Sequence, residues 1–260
     1  MVTKMENEAS NVREDLIIGR NAVSEALRSG REIDALLVSK GERNGSIGQI
    51  IAKCRELRVV IKEVDRKKLD QICSGAAHQG VAAYAASHEY AEIDDIFALA
   101  EERGEKPFII ICDELEDPHN LGAIIRTAEA TGVHGVIIPK RRNASLSYAV
   151  GKASAGAVEY VPVARVPNIA QTIDELKERG IWFYAADMDG QDWCSVDYDG
   201  GVGLIIGSEG RGVSRLVKEK CDFTVSMPMK GKINSLNASV AAGVLMYEVA
   251  RQRAGIKAKG

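Results

Sequence analysis

The feature that most constrains this chain is a rhythm in its second half. Short, largely apolar runs are each followed by a polar loop, and most of those loops by apolar residues at helical spacing. Phe108–Cys112, Gly135–Pro139, Ile181–Ala186, Val202–Ile206 and Phe223–Met227 read as strands. Leu121, Ile124, Ile125 and Ala128 share one face of a helix predicted over Asn120–Thr131. Further helices are predicted over Ile169–Arg179, Val213–Lys220 and Ser235–Arg251. Strands apolar on both faces must be covered on both faces, which predicts an α/β fold around a parallel sheet. In such sheets ligands bind at the carboxyl ends of the strands.

The first part of the chain reads differently. A helix is predicted over Asn21–Ser29, closed by Gly30, and another over Ser46–Leu57. Ala35–Ser39, Val59–Val64 and Gly80–Ala86 read as strands. Charge marks a boundary: residues 16–90 hold 12 basic and 9 acidic side chains, residues 91–107 hold 2 and 6, and residues 108–260 hold 18 of each. The chain is therefore expected to form a disordered tail at 1–14, a small domain at 15–90, a linker at 91–105 containing a short helix, and a larger domain at 106–260.

Several function classes are excluded. No apolar run is long enough for a membrane helix, and residues 1–14 have no apolar signal-peptide core. The five cysteines form no C-x-x-C pair, and the four histidines are not at metal-ligand spacing, so no metal is expected. The cysteines are expected to be buried structural thiols, and a reducing cytoplasm fits best. There is no phosphate-binding P-loop and no G-x-S-x-G elbow. A net charge of −3 argues against a polyanion partner on average, but residues 51–70 alone carry seven Lys and Arg against four acids. Arg251, Arg253, Lys257 and Lys259 add a basic tail. Charge alone leaves open whether these are nucleic-acid contacts or solvated faces.

Three strand ends carry unusual loops. After the first come Pro118, Asn120 and Gly122, with Arg126 in the helix beyond. Taken alone, Asn120 is a helix cap and Arg126 an i,i+3 partner of Glu129. After Ile206 come Gly207-Ser208-Glu209-Gly210-Arg211-Gly212, whose glycine order is not that of a dinucleotide fingerprint. After Met227 the chain reaches Asn234-Ser235-Leu236-Asn237, where Asn234 or Ser235 is expected to cap the final helix and Asn237 to lie in its first turn. Together these loops offer Asn, Arg, Glu and Ser side chains, an inventory suited to orienting a polar substrate beside a reactive cofactor.

Asp117–Ala128, Ile206–Gly212 and Met227–Gly243 resemble, in order, the three motifs of the SpoU family of RNA 2′-O-ribose methyltransferases. Residues 16–88 resemble the small L30e-like RNA-binding domain of that family. The two-domain layout is most similar to the bacterial enzymes that methylate a guanosine of 23S rRNA. The resemblance implies a C-terminal α/β-knot domain threaded as a deep trefoil, S-adenosylmethionine as cofactor and a homodimer formed through that domain. It implies cofactor contacts from Gly207, Met227 and Leu236, and catalytic or substrate-orienting roles for Asn120, Arg126, Glu209, Ser235 and Asn237. Arg126 would grip a phosphate and stabilise oxyanion charge, while Arg20, Lys53, Arg55, Lys62, Arg66, Lys67 and Lys68 would contact RNA. A tRNA or resistance-type rRNA methyltransferase, and a catalytically silent rRNA assembly factor, stay open as alternatives.

Overall fold

The computed structural model describes residues 16–42, 45–233 and 235–256. The tail expected at 1–14, together with Asn234, Lys257 and Lys259, lies outside these residues. The chain divides into two units, Met1–Glu89 with Ser145–Tyr148, and Tyr90–Ala144 with Ala149–Gly260.

In the first unit a four-stranded sheet runs in the order β1 (Leu16–Ile18), β4 (Val81–Ala85), β2 (Ile33–Ser39), β3 (Val60–Val64). Only the β2–β3 pair is parallel. β2 is buried along its whole length, as a central strand should be. Helices α1 (Arg20–Arg28) and α2 (Ser46–Glu56) pack Val23, Leu27, Ile47 and Ile50 with Leu36 and Val38. The other face is covered by α3 (Arg66–Ile72), which buries Leu69 with Leu37 and Ala82. Neither β1 nor α3 is apparent from periodicity. β1 has three residues, and α3 is seven residues with three cations in its first turn, where the helix dipole disfavours them.

The second unit begins with α4 (Ile93–Glu102), inside the segment expected to be a linker. That expectation is corrected: Ile96 and Ala100 are buried, and Ile96 packs so closely on Gly135 that a Cβ there would lie 2.4 Å from it. Full burial of one isoleucine contributes on the order of 2 kcal/mol to docking this helix on the core of the second unit. The acidic charge of this segment lies on the helix's outer face and in its capping box at Glu92 and Asp95.

The remaining strands are β5 (Phe108–Asp113), β6 (Gly135–Pro139), β7 (Val163–Val166), β8 (Ile181–Asp192), β9 (Gly201–Gly207) and β10 (Phe223–Ser226). They form one sheet in the order β10-β8-β9-β5-β6-β7, parallel at every pairing. Ile109, Ile111, Phe183 and Ile205 face a core shared with α4, α7 (Ile169–Glu178) and α8 (Arg215–Lys220). On the opposite side α5 (Pro118–Ala130) packs against α9 (Ala238–Arg253), which also meets β9. The short α6 (Tyr148–Ala153) crosses α5 at Gly122, where a Cβ would lie 2.4 Å from that of Ala153. Because all six strands run one way, their carboxyl ends and the loops beyond them gather at one edge of the sheet.

Candidate active site

Each of the three loops is locally determined. β5 ends at Asp113, whose buried carboxylate accepts from the Ser214 backbone N–H at 2.7 Å and so ties β5 to the start of α8. Asp117 caps α5 by accepting from the His119 N–H at 2.9 Å, and Pro118 occupies the first helical position. Asn120 is therefore not the cap. It sits in the first turn of α5, only 5% exposed, free to bond elsewhere.

After β9 the chain folds back on itself, with reciprocal backbone hydrogen bonds between Ser208 and Gly212 at 3.2 and 2.8 Å. This turn explains Gly207. A Cβ there would lie 2.0 Å from the Gly212 carbonyl carbon, so the glycine is required by the loop's own closure, whatever ligand approaches it. The turn projects Glu209 toward α5 and α9.

The third loop corrects the expected cap of the last helix. α9 begins at Ala238, and Asn237 is its N-cap, with Oδ1 accepting from the Ser239 and Val240 N–H groups at 3.0 and 3.3 Å. Its Nδ2 is thereby aimed the other way, where it donates to Asn120 Oδ1 at 2.9 Å and to Glu209 Oε1. Asn120 Nδ2 donates to the same Glu209 oxygen at 3.0 Å. Side chains from three strand ends, up to 117 residues apart in sequence, thus close one hydrogen-bonded triangle. Among the described residues Glu209 Oε2 accepts no hydrogen bond.

Beside the triangle lies a cleft of about 310 Å³. Gly207, Met227, Ser235 and Leu236 line it, together with Glu209 and Arg211. Its apolar wall includes Ile206 and Val225, with Met188 and Met229 at the rim. The volume is at the lower end for a small-molecule site, and an apolar slot edged by strand-end backbone suits a flat heterocycle with a polar tail. Ala186, Asp187 and Met188 also line the cleft and were not apparent in the sequence. They belong to a bulge in β8. β10 pairs with β8 at Tyr184 and Ala185 and resumes at Gln191 and Asp192, leaving the residues between to loop over the cleft. The only sequence signal was Gly190, whose Cβ would lie 2.6 Å from the Thr224 carbonyl. Asp187 is fixed by Lys218 at 2.9 Å. Its burial works against the charged form, but that hydrogen bond and those of the neighbouring backbone hold the carboxyl below its usual range.

Arg126 is not brought to the triangle. It lies exposed on α5 with no hydrogen bond or ion pair to Glu129 or any other described residue. The neighbouring α9 surface is apolar: Val240 is 51% and Tyr247 58% exposed, with Gly243 and Val244 between them.

Among the basic side chains, Arg20 is engaged by the Gln79 carbonyl and Glu42, and Lys53 by Glu56. Arg55, Lys62, Arg66, Lys67 and Lys68 are exposed with no ion pair among the described residues. The basic tail reads differently in three dimensions. Arg251 pairs with buried Glu248, and Arg253 donates to the carbonyls of Lys106, Pro107 and Gly200, so both are structural. Cys54, Cys73 and Cys112 are buried, and burial pushes the Cys112 thiol up to about 12, whereas Cys194 is exposed. Among the described residues no group of three or more His, Cys, Asp or Glu is arranged to hold a metal, and no helix is long and apolar enough to cross a membrane.

The SpoU rRNA methylase family matches residues 107–247, and the RNA 2′-O ribose methyltransferase substrate-binding family matches residues 16–91. YacO of Bacillus subtilis (strain 168), assigned to the TrmH family of tRNA/rRNA methyltransferases, is 53% identical over 92% of this chain and 96% of its own length. The SpoU methyltransferase AviRb of Streptomyces viridochromogenes, solved in complex with the cofactor AdoMet, is 27% identical with a TM-score of 0.58, covering 92% of this chain and 90% of its own. An AdoMet-bound rRNA methyltransferase of Sinorhizobium meliloti is 26% identical with a TM-score of 0.56, over 92% of this chain and 87% of its own. With both halves matched and the strand-end loops converging, this chain belongs to the SpoU/TrmH family of RNA methyltransferases, whose cofactor is S-adenosylmethionine.

Proposed function

We propose that this protein methylates the ribose 2′-hydroxyl of a guanosine in bacterial 23S rRNA, working in the cytoplasm as a homodimer. The observation that carries the reading is the Asn120–Glu209–Asn237 triangle beside the cleft. In this reading Gly207, Met227 and Leu236 would hold S-adenosylmethionine, the two side chains offering apolar contact. That cofactor supplies a methyl group on a sulfonium, already a good leaving group. The chain's task is then to place the hydroxyl oxygen in line and to offset charge developing on it.

Glu209, held by two amides, presents its remaining oxygen to the ribose, and Ser235 at the cleft edge completes the cradle. Asn120 and Asn237 orient Glu209 and hold the third loop against α5. Arg126, with its donors uncommitted, grips the phosphate beside the target and stabilises the forming oxyanion. A guanidinium rarely yields its proton, so activation of the hydroxyl is assigned to the substrate phosphate or the second subunit. The apolar stripe Val240–Val244–Tyr247 next to α5 supports a dimer through this domain, which would place Arg126 at the subunit boundary. The trefoil threading of this domain is carried over from the SpoU family matched over residues 107–247. The first unit, with its exposed cations, would select the RNA.

The likeness to an rRNA methyltransferase over 92% of this chain favours rRNA over tRNA. The test is tritiated methyl transfer to unmodified RNA from cells lacking this protein, with mapping of the modified nucleotide. A single 2′-O-methylguanosine in 23S rRNA is expected. A tRNA product would replace the substrate assignment, and no transfer to any RNA would reject the enzyme reading. Arg126→Ala should abolish transfer with cofactor affinity unchanged in calorimetry. Equal loss of both would make Arg126 structural.

A further inference from the structure

A second group of charged side chains stands at the same end of the sheet, and the mechanism above does not use it. Glu114, the residue after β5, offers one carboxylate oxygen to each of two arginines. Arg142 Nη1 donates to Oε1 at 2.8 Å, and Arg211 Nη1 lies 3.3 Å from Oε2. Arg142 comes from the loop after β6 and Arg211 from the glycine turn after β9. The Glu114 side chain is 22% exposed, whereas those of Arg142 and Arg211 are 68% and 74% exposed. The anion is sheltered and both cations face out.

The backbone is held for this arrangement. Glu114 and Arg142 both lie in the left-handed region, at φ 57° and 56°, although neither is glycine. Their loops are stitched together by Leu115 N–H to Asn143 Oδ1 and Ala144 N–H to the Leu115 carbonyl, each 2.8 Å. Such strain persists where the surroundings over-determine it, and it concentrates at ligand clamps. Each guanidinium commits one nitrogen to Glu114 and keeps the rest of its planar donor fork. The trio carries one net positive charge, and paired forks of this kind match a phosphodiester. Arg211 also lines the cleft, so an anion held there would sit beside the reacting groups.

We propose that Glu114 is a positioning residue that spreads Arg142 and Arg211 at the mouth of the cleft to hold a backbone phosphate of the RNA strand. The inference rests on the RNA methyltransferase reading and extends it to how the strand is registered. The carboxylate of the cofactor is an anion of the same chemistry, and the test separates the two.

The test uses the full chain with in vitro transcribed, unmodified 23S rRNA. RNA binding is measured without cofactor across a salt series, AdoMet binding by calorimetry, and turnover with both. Arg142→Ala should weaken RNA binding about tenfold. It should lower the slope of log affinity against log salt by about one, with AdoMet affinity unchanged. Glu114→Gly suits the left-handed backbone and should not lower Tm. By removing an anion it should leave RNA binding no weaker, yet kcat should fall about tenfold because the arginines lose their register. An unchanged salt slope in Arg142→Ala, a parallel loss of AdoMet binding, or wild-type kcat in Glu114→Gly would overturn the proposal. A sharp drop in Tm for Glu114→Gly would do so too, by making the side chain structural. If the wild-type protein binds this RNA but transfers no methyl, the functional reading fails, while the Arg142→Ala salt slope still decides whether the clamp holds phosphate.

Discussion

The two units solve the same packing problem with opposite consequences for chemistry. In the six-stranded sheet every strand runs the same way, so Asn120, Glu209 and Asn237 emerge at one edge and meet. In the four-stranded sheet two of the three pairings are antiparallel, so strand ends alternate and polar residues are spread over the surface. The first arrangement makes a site in which a few side chains are held in register. The second makes a platform whose exposed charges act additively and at longer range. A residue in the first should be intolerant of small changes, and a residue in the second should be replaceable at modest cost.

The largest expected effect separates the two arrangements directly. Glu209→Ala removes the common acceptor of both amides, and methyl transfer should fall by about 10²-fold or more, as for a misplaced reacting group. Its Tm should fall only modestly, because Glu209 is exposed and the cost is about 1–3 kcal/mol for the Asn120 amide left without its acceptor. A large loss of Tm with little loss of turnover would show that the triangle is structural.

Next comes Gly207→Ala. The added Cβ meets Gly212 backbone at 2.0 Å, and overpacking of this kind costs roughly 1–3 kcal/mol. Thermal unfolding and AdoMet calorimetry should both report it, since the displaced turn carries Glu209 and lines the cleft. Gly30 in the first unit, at φ 78° with nothing within 4 Å of a Cβ, is the comparison. Gly30→Ala should cost only about 1 kcal/mol of backbone strain and leave AdoMet binding intact.

On the platform, replacing Arg66, Lys67 and Lys68 singly by alanine should each reduce the salt slope of RNA binding by at most about one, without affecting AdoMet. Because cations in the first turn of α3 oppose its dipole, the same substitutions should raise stability by a few tenths of a kcal/mol. A fall in stability would mean that these side chains hold the fold.

The smallest effect concerns His134, fully buried where β6 begins. Its Nδ1 accepts from the Phe108 N–H at 2.9 Å, and its Nε2 donates to Glu105 at 3.1 Å, so the folded ring is neutral. Burial is the main cause that lowers its pKa below the usual 6.5. A base with a lowered folded pKa binds its proton more readily when unfolded. Stability is then complete above the unfolded pKa and declines as pH falls below about 6.5. His134→Asn should flatten that part of a Tm-against-pH curve, and an unchanged slope would assign it to other groups.

Much of the second unit was legible because full burial leaves a plain mark. Phe108–Cys112 and Val202–Ile206 carry no polar side chain, and the observed strands extend them by one or two residues. The elements that escaped notice are short or local. β1 has three residues, β7 four and α3 seven, too few for a period to declare itself. The linker reading of 91–105 failed because charge described the outer face of α4, whereas Ile96 and Ala100 decide where it packs. In the candidate site, residue types were legible and their partners were not. Asn237 reads equally well as a weak residue in a first turn, and its capping geometry is what aims the amide at Asn120 and Glu209.

Local propensity and hydrophobic pattern, acting over five to fifteen residues, were enough to specify strands, helices and the polar loops between them. They were also enough to bring three ordered motifs to three strand ends. What tertiary structure decided is which ends are neighbours: that β9 lies between β8 and β5, that β8 bulges over the cleft, and that Glu114 faces two arginines from separate loops. These are contacts between residues distant in sequence. Their energy is gained only once the sheet is assembled, so no local pattern carries a record of them.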